Sequence, residues 1–130
     1  MTKIISTSKT INKTDIEKYA SAAGDFNPIH LDESFAKTTQ FGKCIAHGMM
    51  VAASISEALT AQFGINWISK GHLKIRFKSP VFPGEQITTT GELKKNSLNT
   101  FSVKVTKNND QVAITGEASI PKKNEVKNEL

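Results

Sequence analysis

The sequence changes its hydrophobic period once, near Gly64, and that change limits the folds open to it. Before it, GMMVAASISEALTAQF at 48–63 is apolar over one wide face at helical spacing, as a buried helix requires. After it, HLKIRFKSP alternates Leu73, Ile75 and Phe77 with Lys74, Arg76 and Lys78, the pattern of a strand with one buried face. TFSVKVTK at 100–107 alternates again, and QITTTGEL and QVAITGEASI extend the strand-rich half. Pro80, Pro83 and Gly84 in SPVFPGE, and NND at 108–110, supply turns between them. The pattern predicts an α+β protein: one long buried helix, then antiparallel strands that wrap it.

The first half reads as helical. Thr14-Asp15 opens a helix through Ile16, Tyr19 and Ala20, with Gly24 just past its end. Asp32 can cap a second, short helix through Phe35 and Ala36, and QFGKC at 40–44 breaks it. The 130 residues are expected to form a single domain, 1–130, with the charged tail at about 121–130 frayed. The longest apolar runs, such as MMVAA at 49–53, fall far short of the roughly 20 residues that span a bilayer, so no membrane association is expected. MTKIISTSKTINKTD has no apolar block before a cleavage site, and the expected location is cytoplasmic. The single cysteine, Cys44, cannot form an intramolecular disulfide and reads as a small buried hydrophobe. The net charge of +5 comes from scattered lysines with no interleaved aromatics, which argues against nucleic acid.

One stretch fits neither helix nor strand. AAGDFNPIHLDESFA at 22–36 places an acid, an amide, a proline and a histidine between Asp25 and His30. Alone it could be a helix-ending turn, with Asp25 capping and Pro28 stiffening. The longer segment YASAAGDFNPIHLDESFA at 19–36, however, resembles the hydratase motif of MaoC-like proteins, the family of (R)-specific enoyl-CoA hydratases and related 3-hydroxyacyl dehydratases. The resemblance extends through AHGMM at 46–50 and the SPVFPGE turn, and spans most of residues 15 to 120.

That resemblance implies a hot-dog fold, an antiparallel sheet wrapped around the helix at about 48–62, and a homodimer acting on acyl-CoA. It makes Asp25 and His30 the catalytic pair and gives the Gly48 N–H to the substrate thioester oxygen. Ser56 matches a family serine on the central helix that helps form the active site, and Asn27 fixes the loop. The implied reaction adds water across a trans-2-enoyl thioester, or removes it. Water must be oriented and deprotonated, a proton must reach C2, and the enolate-like oxygen must be stabilised. Asp25 and His30 on a Pro-stiffened, extended Asn27-Pro28 segment could hold one water between them. Coenzyme A is here part of the substrate, and no cofactor is implied.

The other candidates have plainer readings. His47 is expected to be structural and His72 to lie on an exposed strand face. The histidines with Asp32 lack the short ligand spacing of a metal site, and no metal is expected. A hot-dog thioesterase would need an acid on the central helix, where Glu57 is the candidate; its plainer reading is a solvent-facing charge. An acyl-carrier-protein dehydratase would use the same residues. A non-catalytic acyl-CoA binder has no need of both Asp25 and His30.

Overall fold

The computed structural model describes residues 3–121; the tail expected to fray lies almost wholly outside the described residues. The long helix is α4, Gly48–Phe63. It buries Val51, Ala52, Ile55, Ala58 and Leu59 against the sheet, but Met49 is 62% exposed and Ala53 and Glu57 also face outward. The helix is therefore covered on one side, and an open stripe that begins with an apolar residue runs along the other.

Among the described residues five strands form one sheet: β1 Lys3–Thr10, β2 His72–Phe77, β3 Gln86–Leu93, β4 Thr100–Lys107 and β5 Val112–Ser119. Their order is β1-β3-β4-β5-β2, and every pairing is antiparallel. The inward residues Ile87, Phe101, Val103, Val105 and Ile114 meet α4 in the core. β3 and β4 follow the period-two pattern read from the sequence, and β5 follows it less strictly, burying the adjacent Ala113 and Ile114. β1 does not, because only Ile4 of its residues is buried and no alternation results. It is held at the sheet edge by β3, and where its register shifts between Ile4 and Thr7, Gln62 of α4 accepts the Ile5 N–H at 2.8 Å and donates to the Lys3 carbonyl at 3.2 Å.

Two further departures from the expected pattern have physical causes. The strands do not begin at Gly64: a short helix, α5 Ile65–Lys70, comes first and turns Trp67 into the core. Gly71 follows because a Cβ there would come within 2.1 Å of the Trp67 ring. On β2, the side of Leu73 and Phe77 is not buried as expected; they are 36% and 57% exposed. β2 is the far edge of the sheet, and this face is covered only in part: the start of α4 meets the Phe77 ring at Gly48, and Ile75 packs against the core.

The turn between β2 and β3 is clamped from beneath. Lys107, almost fully buried, places its ammonium 3.0 Å from Glu85 Oε1 and donates to the Pro80 carbonyl at 2.7 Å. The same Glu85 oxygen accepts the Phe82 N–H at 2.7 Å. No helix among the described residues is long and apolar enough to cross a membrane.

Candidate active site

The loop of interest begins where α1, Lys13–Ala23, ends. Gly24 takes the left-handed conformation at φ 70°, which a glycine adopts without a Cβ penalty. Asp25 then turns the chain, its Oδ1 accepting the Asn27 N–H at 3.2 Å. Asn27 is extended, as a residue before proline prefers, and its Oδ1 accepts the Ile29 N–H at 3.1 Å. Pro28 opens one helical turn, α2 Pro28–Leu31, which carries His30. The run from Asp25 to His30 is thus not extended throughout: an amide-capped helical turn brings the histidine back toward the acid. Asn27 thus caps the turn that carries His30. Asp32 then caps α3, Glu33–Ala36, accepting the Phe35 N–H at 3.2 Å.

His30 is fixed by its ring. Its Nδ1 lies 2.8 Å from the Ile45 carbonyl, and a carbonyl can only accept, so Nδ1 carries the proton and neutral His30 presents a bare Nε2. Asp25, His30 and His47 each offer an oxygen or nitrogen atom within 4.8 Å of the others, a separation that one water can bridge with two ordinary hydrogen bonds. These are also cation-ligand types. The His30 and His47 rings, however, stack at a centroid distance of 3.8 Å with 27° between their planes. In-plane lone pairs of nearly parallel rings do not converge between them.

His30 and Gly48 share a cavity of about 290 Å³ whose walls are mainly apolar, among them Phe41, Ile45, Val51, Phe77, Val81 and Ile114. Asp25 stands exposed beside His30, outside the cavity lining. Gly48 is the first residue of α4, and among the described residues no acceptor takes its N–H. It is one of the unpaired first-turn donors at the positive end of the helix dipole. The Phe77 ring lies against it so closely that a Cβ at Gly48 would meet the ring at 2.8 Å. The Ala46 N–H donates to the Val81 carbonyl at 2.8 Å, which ties the SPVFPGE turn to the start of the helix.

The remaining candidates lie elsewhere. Ser56, further along α4, accepts the Trp67 indole N–H at 2.9 Å and is not among the cavity residues. Glu57 is exposed and pairs with Lys9 of β1, also away from the cavity. His72 is exposed on β2. Cys44 is buried, and that burial, reinforced by the Glu33 carboxylate, pushes its thiol up to about 11. In return the hydrogen bond from Cys44 holds Glu33 below the usual carboxylate range. The cavity walls and the contacts of His47 were not readable from the sequence, although AHGMM marked the stretch that supplies two of them.

An antiparallel sheet closed on one long helix, with acid and imidazole gathered near that helix's N-terminus, places the molecule in the hot-dog class. The comparisons with known proteins narrow this. The MaoC-like domain profile matches residues 2–114. An (R)-specific enoyl-CoA hydratase of Aeromonas caviae is 34% identical over 118 residues, covering 87% of each chain. A mitochondrial 3-hydroxyacyl-[acyl-carrier-protein] dehydratase of Arabidopsis thaliana is 31% identical over 89% of this chain and 73% of its own. The solved structure of the (R)-hydratase from A. caviae involved in PHA biosynthesis superposes with a TM-score of 0.76 at 30% identity, covering 92% of this chain and 94% of that one. The chain belongs to the MaoC-like dehydratase family.

Proposed function

We propose that the protein is an (R)-specific enoyl-CoA hydratase that adds water to trans-2-enoyl-CoA and catalyses the reverse dehydration. The observation that carries this reading is the gathering of Asp25 and His30, whose Nε2 is left bare by the Nδ1 bond to Ile45, beside the cavity that holds the Gly48 N–H. A water bridging the carboxylate and Nε2 donates both its protons, so its oxygen lone pairs face the substrate. Attack forms the C3–O bond as one water O–H breaks, the pair takes that proton, and a proton returns to C2. Charge that builds on the thioester oxygen meets the Gly48 N–H, and losing a donor of this type costs roughly 2.7 to 4 kcal/mol. The apolar cavity walls suit an acyl chain. No cofactor takes part, and coenzyme A is the carrier of the substrate.

The active form in this reading is a homodimer. The exposed Leu73 and Phe77 of β2 and Met49 of α4 are apolar surface that a second copy would bury, and pairing removes an exposed sheet edge. The cytoplasm is the proposed location, in keeping with the free thiol of Cys44.

Crotonyl-CoA tests the proposal. Loss of absorbance from the conjugated double bond, with (R)-3-hydroxybutyryl-CoA as product and almost no free thiol, is the expected result. An S product would refute it, and rapid thiol release would move the assignment to hydrolysis. Turnover only when the same acyl group is carried on acyl carrier protein would make the protein a carrier-protein dehydratase.

A further inference from the structure

We propose that His47 is a positioning residue of the catalytic site, one side chain that sets both the Asp25 turn and the His30 ring. This rests on the reading of Asp25 and His30 as the acid–base pair. His47 is joined to each working part of the site: by a hydrogen bond to Asp25, by ring stacking to His30, and by the peptide bond to Gly48. Its Nε2–H donates to the Asp25 backbone carbonyl at 3.0 Å. Its ring stacks on His30 at 3.8 Å and meets Tyr19 of α1 at 4.8 Å in a tilted contact. It is the N-cap residue of α4, so the peptide unit that bears the Gly48 N–H starts at its own carbonyl carbon.

The chemistry of the ring separates this role from simple filling of space. The Asp25 carbonyl fixes the proton on Nε2, which leaves the neutral ring with a lone pair on Nδ1. That Nδ1 is buried with no partner among the described residues, and a buried polar atom left unpaired is unfavourable. A phenyl ring would fill the same place without that atom. It would not donate to Asp25, and the turn that aims the carboxylate would lose its tie to α4. For His30, the bond from Nδ1 to Ile45 fixes one edge of the ring and the stacked face of His47 fixes its plane, so Nε2 has one direction. The two histidines consequently carry their protons on opposite nitrogens, His30 on Nδ1 and His47 on Nε2.

Nitrogen-15 histidine spectra of the full-length protein, combined with steady-state kinetics of His47→Phe and His47→Gln, test the assignment. The wild-type spectra should show the two opposite tautomers. His47→Phe keeps the stacking face and loses the donor, while His47→Gln keeps a donor and loses the face. Each should lower kcat on crotonyl-CoA between about tenfold and a hundredfold, as expected when a reacting group is misplaced by about an ångström. KM should stay within about twofold, and far-UV circular dichroism should stay unchanged. In His47→Gln the single His30 tautomer signal should also be lost. Wild-type kcat in both variants, or a loss carried by KM alone, would overturn the proposal. Should neither variant fold, the wild-type spectra decide, since a proton on Nδ1 of His47 or on Nε2 of His30 is incompatible with it. If the wild type turns over no enoyl thioester, the functional reading fails on its own, and the His30 tautomer with and without His47 still decides the positioning role.

Discussion

Asp25 and His30 act on one water in the proposed reaction, and their separate removal should look alike. Asp25→Asn and His30→Ala are each expected to reduce turnover at least about a hundredfold while the protein still folds. The double variant should be little worse than the worse single, because groups that work as a unit are not additive. Crotonyl-CoA kinetics on the three proteins check this, and near-wild-type turnover in either single variant removes that residue from the mechanism. Cys44 gives a prediction of a different kind. Its thiol is raised to about 11 in the folded protein from a value near 9, so the folded state keeps a proton that the unfolded chain gives up. Stability from this group is complete below about pH 9 and is lost as pH rises through about 11. Urea midpoints should fall across that window, and Cys44→Ala should flatten the fall. At this scale the sequence was most readable where chemistry is local: Asp25, Asn27 and His30 lie within one motif, and their contacts follow from turn chemistry. His47 and Phe77 were not readable, since what they touch is decided by packing between segments far apart in the chain.

At the scale of elements, the turn between β2 and β3 depends on a buried ion pair, and its two halves should respond unequally to truncation. Glu85→Ala leaves the Lys107 ammonium buried, with the Pro80 carbonyl and the Phe82 ring as its remaining partners among the described residues. The expected cost is about 2 to 3 kcal/mol, at or below the low end for a broken buried pair because Glu85 is partly exposed. Lys107→Met, which removes the charge and keeps the stem, should cost less. Chemical denaturation of both variants gives the comparison, and an equal or reversed order would show that the clamp does not hold the turn. Long segments with a clean period, α4 and β2 to β4, were legible because each buries or presents one face, and β5 was legible from its apolar residues and the turn before it. β1 was not, since a single buried side chain leaves no period, and α5 was not, since one and a half turns are too short to show one. Ser56 shows a related limit: the family motif assigns it to the site, and here its hydroxyl holds Trp67 of the unforeseen α5.

For the whole molecule, the sequence correctly made β2 a strand with an apolar face, but the alternation of Leu73, Ile75 and Phe77 could not say what covers that face. In a single copy it is covered only in part, with Leu73 and Phe77 left 36% and 57% exposed. Light scattering at micromolar concentration should therefore give about twice the 14.2 kDa chain mass, and Leu73→Lys should shift the population toward monomer. A monomer mass for the wild type would remove the dimer from the proposal. The sheet order has one more consequence, which belongs to the making of the protein. Ser8 of β1 bonds to Thr88 of β3, 80 residues later, and among the described residues β2 pairs only with β5, the last of the described strands. A growing chain will have translated Asp25, His30, Gly48 and all of α4 long before either pairing can form, with the apolar face of that helix still unmatched. A ribosome halted just before Val112 carries every residue of the proposed acid–base pair and the proposed oxyanion donor, yet lacks Ile114 of the cavity wall and the strand that holds β2 in place. In the proposed reading, catalytic competence waits for β5.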